Sequence, residues 1–321
     1  MRQSYELPPD RAQLHRKAVR LEWITIIYLL SAIAAIYVTL GASQAMKAAW
    51  FEDILSLVPA IAFLVGSRFR WRKPNRRFPY GYHRVMSISY LVASLALFLM
   101  GLFILYDSVS QLLSFEHPPI GMVQPFGDPV WLGWFMLPAL AWSALPAVFL
   151  GRAKLPLARG LHDKVLYADA EMNKADWLTA AAAMVGVIGI GFGLWWADGA
   201  AATFISLDIT SDGLKNIKRA VSDLMDGRPA VVDGSAVDPI VSRVESELNK
   251  RSWVKEASVR LRENGHVFFG EALVVPRSQD DLADKIQRTR AELLELDWRL
   301  YDIAISPVES MEPPEEEPSE K

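Results

Sequence analysis

The sequence predicts an α-helical membrane protein of six transmembrane helices that continues into a smaller soluble α+β domain. Three observations predict it. Six apolar runs, near residues 21–41, 47–67, 85–107, 130–150, 174–196 and 199–222, have or approach the ~20 residues that cross a bilayer as a helix. Arg and Lys collect at alternate ends of those runs. After Pro229 the apolar residues regroup at the spacings of short amphipathic helices and strands. Composition agrees: of 321 residues 51% are hydrophobic, the formal net charge is -3 and mean hydropathy is +0.15, a balance suited to a membrane protein with a soluble portion. There is no cysteine, so disulfides and thiolate metal sites are excluded.

Residues 1–20 are polar and basic with no apolar core of their own. They read as a cytoplasmic segment without a cleavable signal peptide, so insertion relies on the first spanning helix. Cations crowd this segment, the second-to-third connection (Arg68, Arg70, Arg72, Lys73, Arg76, Arg77), the fourth-to-fifth connection (Arg152, Lys154, Arg159, Lys164) and the stretch after the sixth run (Lys215, Lys218, Arg219). The alternate connections hold almost none, with Lys47 in one. The positive-inside rule then places both termini in the cytoplasm of a multi-pass inner (plasma) membrane protein, and the alternation is consistent only for an even number of helices. The sixth run is the weakest, turning polar towards Lys215, so five crossings compete with six. Residues 21–228 form the expected six-helix domain.

Residues 229–308 form the expected cytoplasmic dimerisation or regulatory domain. Asp238 can cap a helix with Ile240, Val244 and Leu248 on one face. Val254 to Leu261 and Val267 to Val275 alternate as strands, Gln279 to Leu296 has helical spacing, and Arg299 to Ser306 closes as a strand. The order αββαβ gives a small, two-layer, ferredoxin-like α+β domain of about 80 residues with one modest core. Residues 309–321 are an acidic, proline-rich tail, expected to be disordered.

The chemistry sits where the fifth run begins, in Ala168-Asp169-Ala170-Glu171-Met172-Asn173-Lys174-Ala175-Asp176. On a helix Asp169, Met172 and Asp176 fall at i, i+3 and i+7, with Asn173 bordering them: two carboxylates and a thioether on one face in the wrong solvent. Ionisable groups inside a bilayer turn towards a cavity, an ion path or each other. The second run supplies the partner. Glu52 and Ser56 share a face, Asp53 lies about 100° round, and Pro59 frees the carbonyl of Leu55 from its helical bond. Glu52, Ser56, Met172 and Asp176 together offer oxygen and sulfur ligands to one divalent cation. Plainer readings stand beside these: Met172 as packing, Asp169 as a helix cap rather than an entrance ligand, and Asp53 as a water-facing neighbour of Glu52.

These residues carry a resemblance to the cation diffusion facilitator family. The family's D-A-x-H-N-x-x-D is similar to Asp169-Ala170-Glu171-Met172-Asn173-Lys174-Ala175-Asp176, its P-Y-G-H-G-[KR] to Pro79-Tyr80-Gly81-Tyr82-His83-Arg84, and its L-x-D-x-x-P to Leu224-Met225-Asp226-Gly227-Arg228-Pro229. The resemblance implies a homodimeric secondary transporter, not an enzyme, that exports divalent metal cations by proton antiport. It also implies a structural charge pair between Arg84 and Asp226. Met172 stands where the family has histidine, and Glu52 and Ser56 where it has Asp, His or Asn followed by Asp, so the imidazole chemistry of zinc-type relatives is missing and Glu52 or Asp176 must carry the proton. Mn, Fe, Co, Ni and Zn are not separated by this donor set. The implied partners are the cation, membrane lipid and a second copy of the chain, with no nucleic acid and no cofactor beyond the cargo. The alternative is a transport-inactive relative serving as a membrane scaffold that recruits a partner.

Overall fold

The computed structural model describes residues 7–40, 44–70, 72–114, 121–123, 129–194 and 196–311. The chain divides into two compact units, Met1–Leu224 and Met225–Lys321. Of the expected acidic tail, everything from residue 312 onwards lies outside the described residues.

The first unit is helical: α1 (Pro9–Thr39), α2 (Gln44–Leu55), α3 (Leu57–Arg70), α4 (Arg84–Leu113), α5 (Gly133–Leu161), α6 (Lys164–Gly191) and α7 (Ala197–Leu224). A two-residue antiparallel ladder, β1 (Met122–Val123) with β2 (Val130–Trp131), lies between α4 and α5. Large apolar side chains face outwards, among them Ile27 and Leu30 on α1, Val92 and Leu99 on α4, and Trp142 and Phe149 on α5, whereas Ser87, Ser94 and Ser143 are buried. That inversion suits hydrocarbon outside and close helix packing within. Pro9–Thr39, Ala49–Arg70, Arg84–Leu113 and Gly133–Leu161 are long and apolar enough to cross a membrane, so the chain is a multi-pass membrane protein. The helices α6 and α7 have 28 residues each, but acidic and basic residues interrupt their apolar runs.

The second predicted crossing is a single candidate span, Ala49–Arg70, with a turn inside it. It breaks at Ser56 into α2 and α3, and Pro59, in the first turn of α3, is tolerated there because a helix start has no use for its missing N–H. Another departure is larger. The fourth predicted run ends near residue 150, yet α5 continues to Leu161 through Pro138, Pro146 and Pro156. Arg152, Lys154 and Arg159 therefore belong to a helix, Lys164 opens the next, and the expected basic connection shrinks to His162 and Asp163. His162 ends α5 in the left-handed region (φ 49°, ψ 51°), the conformation that closes a helix sharply. Asp163 starts α6: its Oδ1 accepts the amides of Val165 and Leu166 at 3.1 and 3.2 Å, an N-cap arrangement.

Two charge pairs and a hydrogen bond tie helix ends together. Arg70 at the end of α3 lies 3.5 Å from Asp163, Lys164 lies 2.7 Å from Asp223 of α7, and Arg84 Nη1 donates to the Leu224 carbonyl at 3.4 Å. Helices α4 and α7 pack backbone to backbone. A Cβ on Gly101 would meet the Thr210 nitrogen at 2.7 Å, and one on Gly213 would meet the Phe98 Cα at 2.6 Å.

The second unit runs α8 (Ile240–Asn249), β3 (Val254–Asn264), β4 (Val267–Pro276), α9 (Leu282–Leu296) and β5 (Leu300–Pro307). The sheet order is β3-β4-β5, antiparallel across the β3–β4 hairpin and parallel between β4 and β5. The hairpin turns at Gly265, whose φ of 73° favours glycine, and α9 makes the crossover that a parallel pair requires. Ile240, Val244 and Leu248 of α8 and Leu293 of α9 pack against Leu261, Phe268, Ala272 and Ile303 in one apolar layer. A full ferredoxin-like β-α-β-β-α-β set has one more strand than this sheet; the described residues before α8 contribute an isolated bridge, Ala230 to Val237. Arg299 clamps the start of β5 to α8: it lies 2.6 Å from Asp238 and 2.9 Å from Asp297, while Asp238 Oδ1 accepts the Ile240 amide at 3.0 Å.

Candidate metal centre

The break between α2 and α3 sets the centre. Glu52 and Asp53 occupy the last turn of α2 and Ser56 the break itself, all buried. The Ser56 hydroxyl donates to Asp176 Oδ1 of α6 at 2.5 Å, joining the two segments that carry the candidate ligands. Hydrogen bonds from a hydroxyl to a carboxylate are among the short, strong ones. Asp176 Oδ2 and Glu52 Oε1 are buried with no hydrogen-bond partner, and so is Asn173 Oδ1 on α6. Asp176 and Asp53 both act electrostatically on Glu52. Buried carboxyl oxygens without a donor are costly, and a divalent cation would offset that cost.

Met172 lies one turn before Asp176, fully buried with Ala96, Leu97 and Met100 of α4 and Ile209 of α7, and Leu55 and Val58 on either side of the break pack against the same cluster. Met172 thus packs in an apolar cluster that flanks Ser56. Asp53 is not water-facing. It is buried and turned to α5, where the Ser143 hydroxyl donates to its two oxygens at 3.0 and 3.2 Å, and the Ser143 carbonyl accepts from Tyr28 of α1.

Asp169 is not a helix cap. It lies inside α6, buried, in an ion pair with Lys154 of α5, and Lys154 Nζ also lies 3.2 Å from Glu22 of α1. Asn173 Nδ2 donates to the Asp169 carbonyl at 2.7 Å. The sequence reading missed Glu22 and Lys154. Glu22 opens the first apolar run, where a search for acids in the wrong solvent would find it; Lys154 is masked by neighbouring cations that read as a loop.

Among the described residues no three His, Cys, Asp or Glu side chains converge as a metal cluster. A cation at this centre would take two carboxylates, Glu52 and Asp176, with the remaining ligands drawn from hydroxyl, amide, thioether, backbone or water. Two carboxylates would neutralise the charge of a divalent ion.

Comparison with known proteins places the chain. The manganese efflux system protein MneS of Bacillus subtilis (strain 168) is 25% identical over 283 residues, covering 86% of this chain and 90% of that protein. The magnetosome protein MamB of Magnetospirillum gryphiswaldense is 26% identical over 179 residues, 56% of this chain and 51% of MamB. The cadmium, cobalt and zinc/H(+)-K(+) antiporter of Bacillus velezensis is 26% identical over 196 residues, 60% of this chain and 56% of the antiporter. Residues 22–225 match the family profile of the cation efflux transmembrane domain. With that match running from α1 to the end of α7, the chain belongs to the cation efflux, or cation diffusion facilitator, family, and is a divalent-cation transporter rather than an enzyme.

Proposed function

We propose that the protein exports a divalent metal cation in exchange for protons through a centre made by Glu52, Ser56, Met172 and Asp176, with Asn173 at its edge. The observation that carries this is the Ser56–Asp176 hydrogen bond, which joins α2–α3 to α6 while leaving Glu52 Oε1 and Asp176 Oδ2 without donors. In this reading α6 and α7 are the fifth and sixth crossings, both termini are cytoplasmic, two copies assemble as a homodimer, and Arg84 and Asp226 form a structural charge pair. Oxygen donors suit Mn(II), and the similarity to a manganese efflux protein supports the same ion, so Mn(II) heads the order of testing over Fe, Co, Ni and Zn.

The test is flux into proteoliposomes under each metal in turn, with a trapped pH dye. Mn(II) uptake accompanied by proton counterflow, and lost in Asp176→Ala, is the expected result. Uptake that leaves the dye unmoved removes the antiport. No flux and no metal-dependent thermal stabilisation of the wild type would point to the scaffold instead.

A further inference from the structure

The Lys154 ammonium is fully buried and meets two carboxylates from two other helices, Asp169 on α6 and Glu22 on α1. One cation therefore ties α1, α5 and α6. The tie depends on a close approach of α5 to α6. Gly151, one turn before Lys154, faces Asn173, and a Cβ on Gly151 would lie 3.2 Å from the Asn173 Cβ and 3.4 Å from the Ala170 carbonyl. Asn173 in turn holds the Asp169 carbonyl. Asp169 and Asp176 lie seven residues apart on nearly the same face, about 10 Å along the axis, so fixing one fixes the rotation and height of the other.

The geometry points to Lys154 as a positioning residue for cation transport: by holding Asp169 against α5 and α1 it sets the register of α6 that brings Asp176 to Ser56. This rests on the reading of Glu52 and Asp176 as the cargo site. Lys154 touches neither of them, and its own charge works against the cargo, because an ammonium near Asp176 repels an incoming cation. Charge and position thus predict opposite signs. On electrostatics alone, removing the ammonium tightens cation binding; as a positioning residue, removing it loosens binding.

The experiment is equilibrium binding of Mn(II) to purified full-length protein, with thermal unfolding as the check of folding, for wild type, Lys154→Met, Gly151→Val and Asp176→Ala. Gly151→Val changes no charge and pushes α5 off α6, and it decides alone if Lys154→Met does not fold. The expected result is at least a tenfold weaker Kd in Lys154→Met and in Gly151→Val, with Lys154→Arg recovering part of the loss. Equal or tighter binding in either folded variant overturns the positioning role. If Asp176→Ala abolishes binding while Lys154→Met leaves it unchanged, the positioning role falls and the cargo site stands; full binding by Asp176→Ala overturns both.

Discussion

Ser56 and Asp176 are 120 positions apart, and a single hydroxyl joins them. Removing that hydroxyl while leaving the carboxylate buried costs about 1.5–3 kcal/mol, so Ser56→Ala lowers the thermal midpoint of the metal-free protein, and saturating Mn(II) recovers part of the loss, read by thermal unfolding with and without metal. Met172→His places an imidazole beside the same carboxylates. Competition uptake should then shift towards Zn(II), since imidazole suits zinc better than a thioether does. Glu52, Ser56 and Asp176 were legible because polar groups in an apolar run are conspicuous. The surroundings of Met172 were not, because Leu97, Met100 and Ile209 come from helices whose packing no local pattern encodes. Lys154 misled for a related reason: its neighbours Arg152 and Arg159 resemble a solvated connection, whereas the fold withdraws Lys154 into the bundle.

Among the helices, the apolar runs located every long element, but not its ends or continuity. Pro59 gave warning of the break at Ser56. The three prolines of α5 do not end it, because in a bilayer neighbouring helices and side chains re-satisfy the freed carbonyls and the helix survives them. The α4–α7 contact was not legible either, since nothing in the local sequence tells which helix Gly101 and Gly213 will meet. Its consequence is testable. Gly213→Val forces a side chain into the backbone at Phe98, where even a Cβ would sit at 2.6 Å, so the variant should unfold several degrees below wild type, and Gly101→Val likewise against Thr210. Unchanged unfolding temperatures for both would mean that the two helices separate freely.

For the whole molecule, two units folded on different principles share one chain: a bundle with apolar side chains on its outer surface as well as within, and a sheet domain whose apolar layer lies inside. The periodicity change after Pro229 made that division legible, and the αββαβ order followed from strand and helix spacing. The Arg299 clamp was not, because Asp238 stands 61 residues from Arg299 and no local pattern pairs them. The clamp also sets a pH dependence. Burial alone would raise the Asp297 carboxyl, but hydrogen bonds from the Arg299 side chain and amide outweigh it and hold the group below the usual carboxylate range. A depressed folded-state pKa stabilises at pH above the unfolded value, about 3.9, and that contribution is lost as pH falls through the folded value. Acid titration of the full-length protein, followed by circular dichroism, should show Asp297→Asn less stable than wild type at neutral pH and converging with it in acid; a constant gap across the titration would rule out the linkage.

The two-residue elbow at His162 and Asp163 leaves no slack between α5 and α6. One extra residue after His162 would turn all of α6 by about 100°, carrying Asp169 away from Lys154 and Asp176 away from Ser56 in the same movement. A scan of single-codon insertions along the gene should therefore find this point as intolerant as the interior of a helix, although it is a turn, while the longer connection between α3 and α4 accepts them.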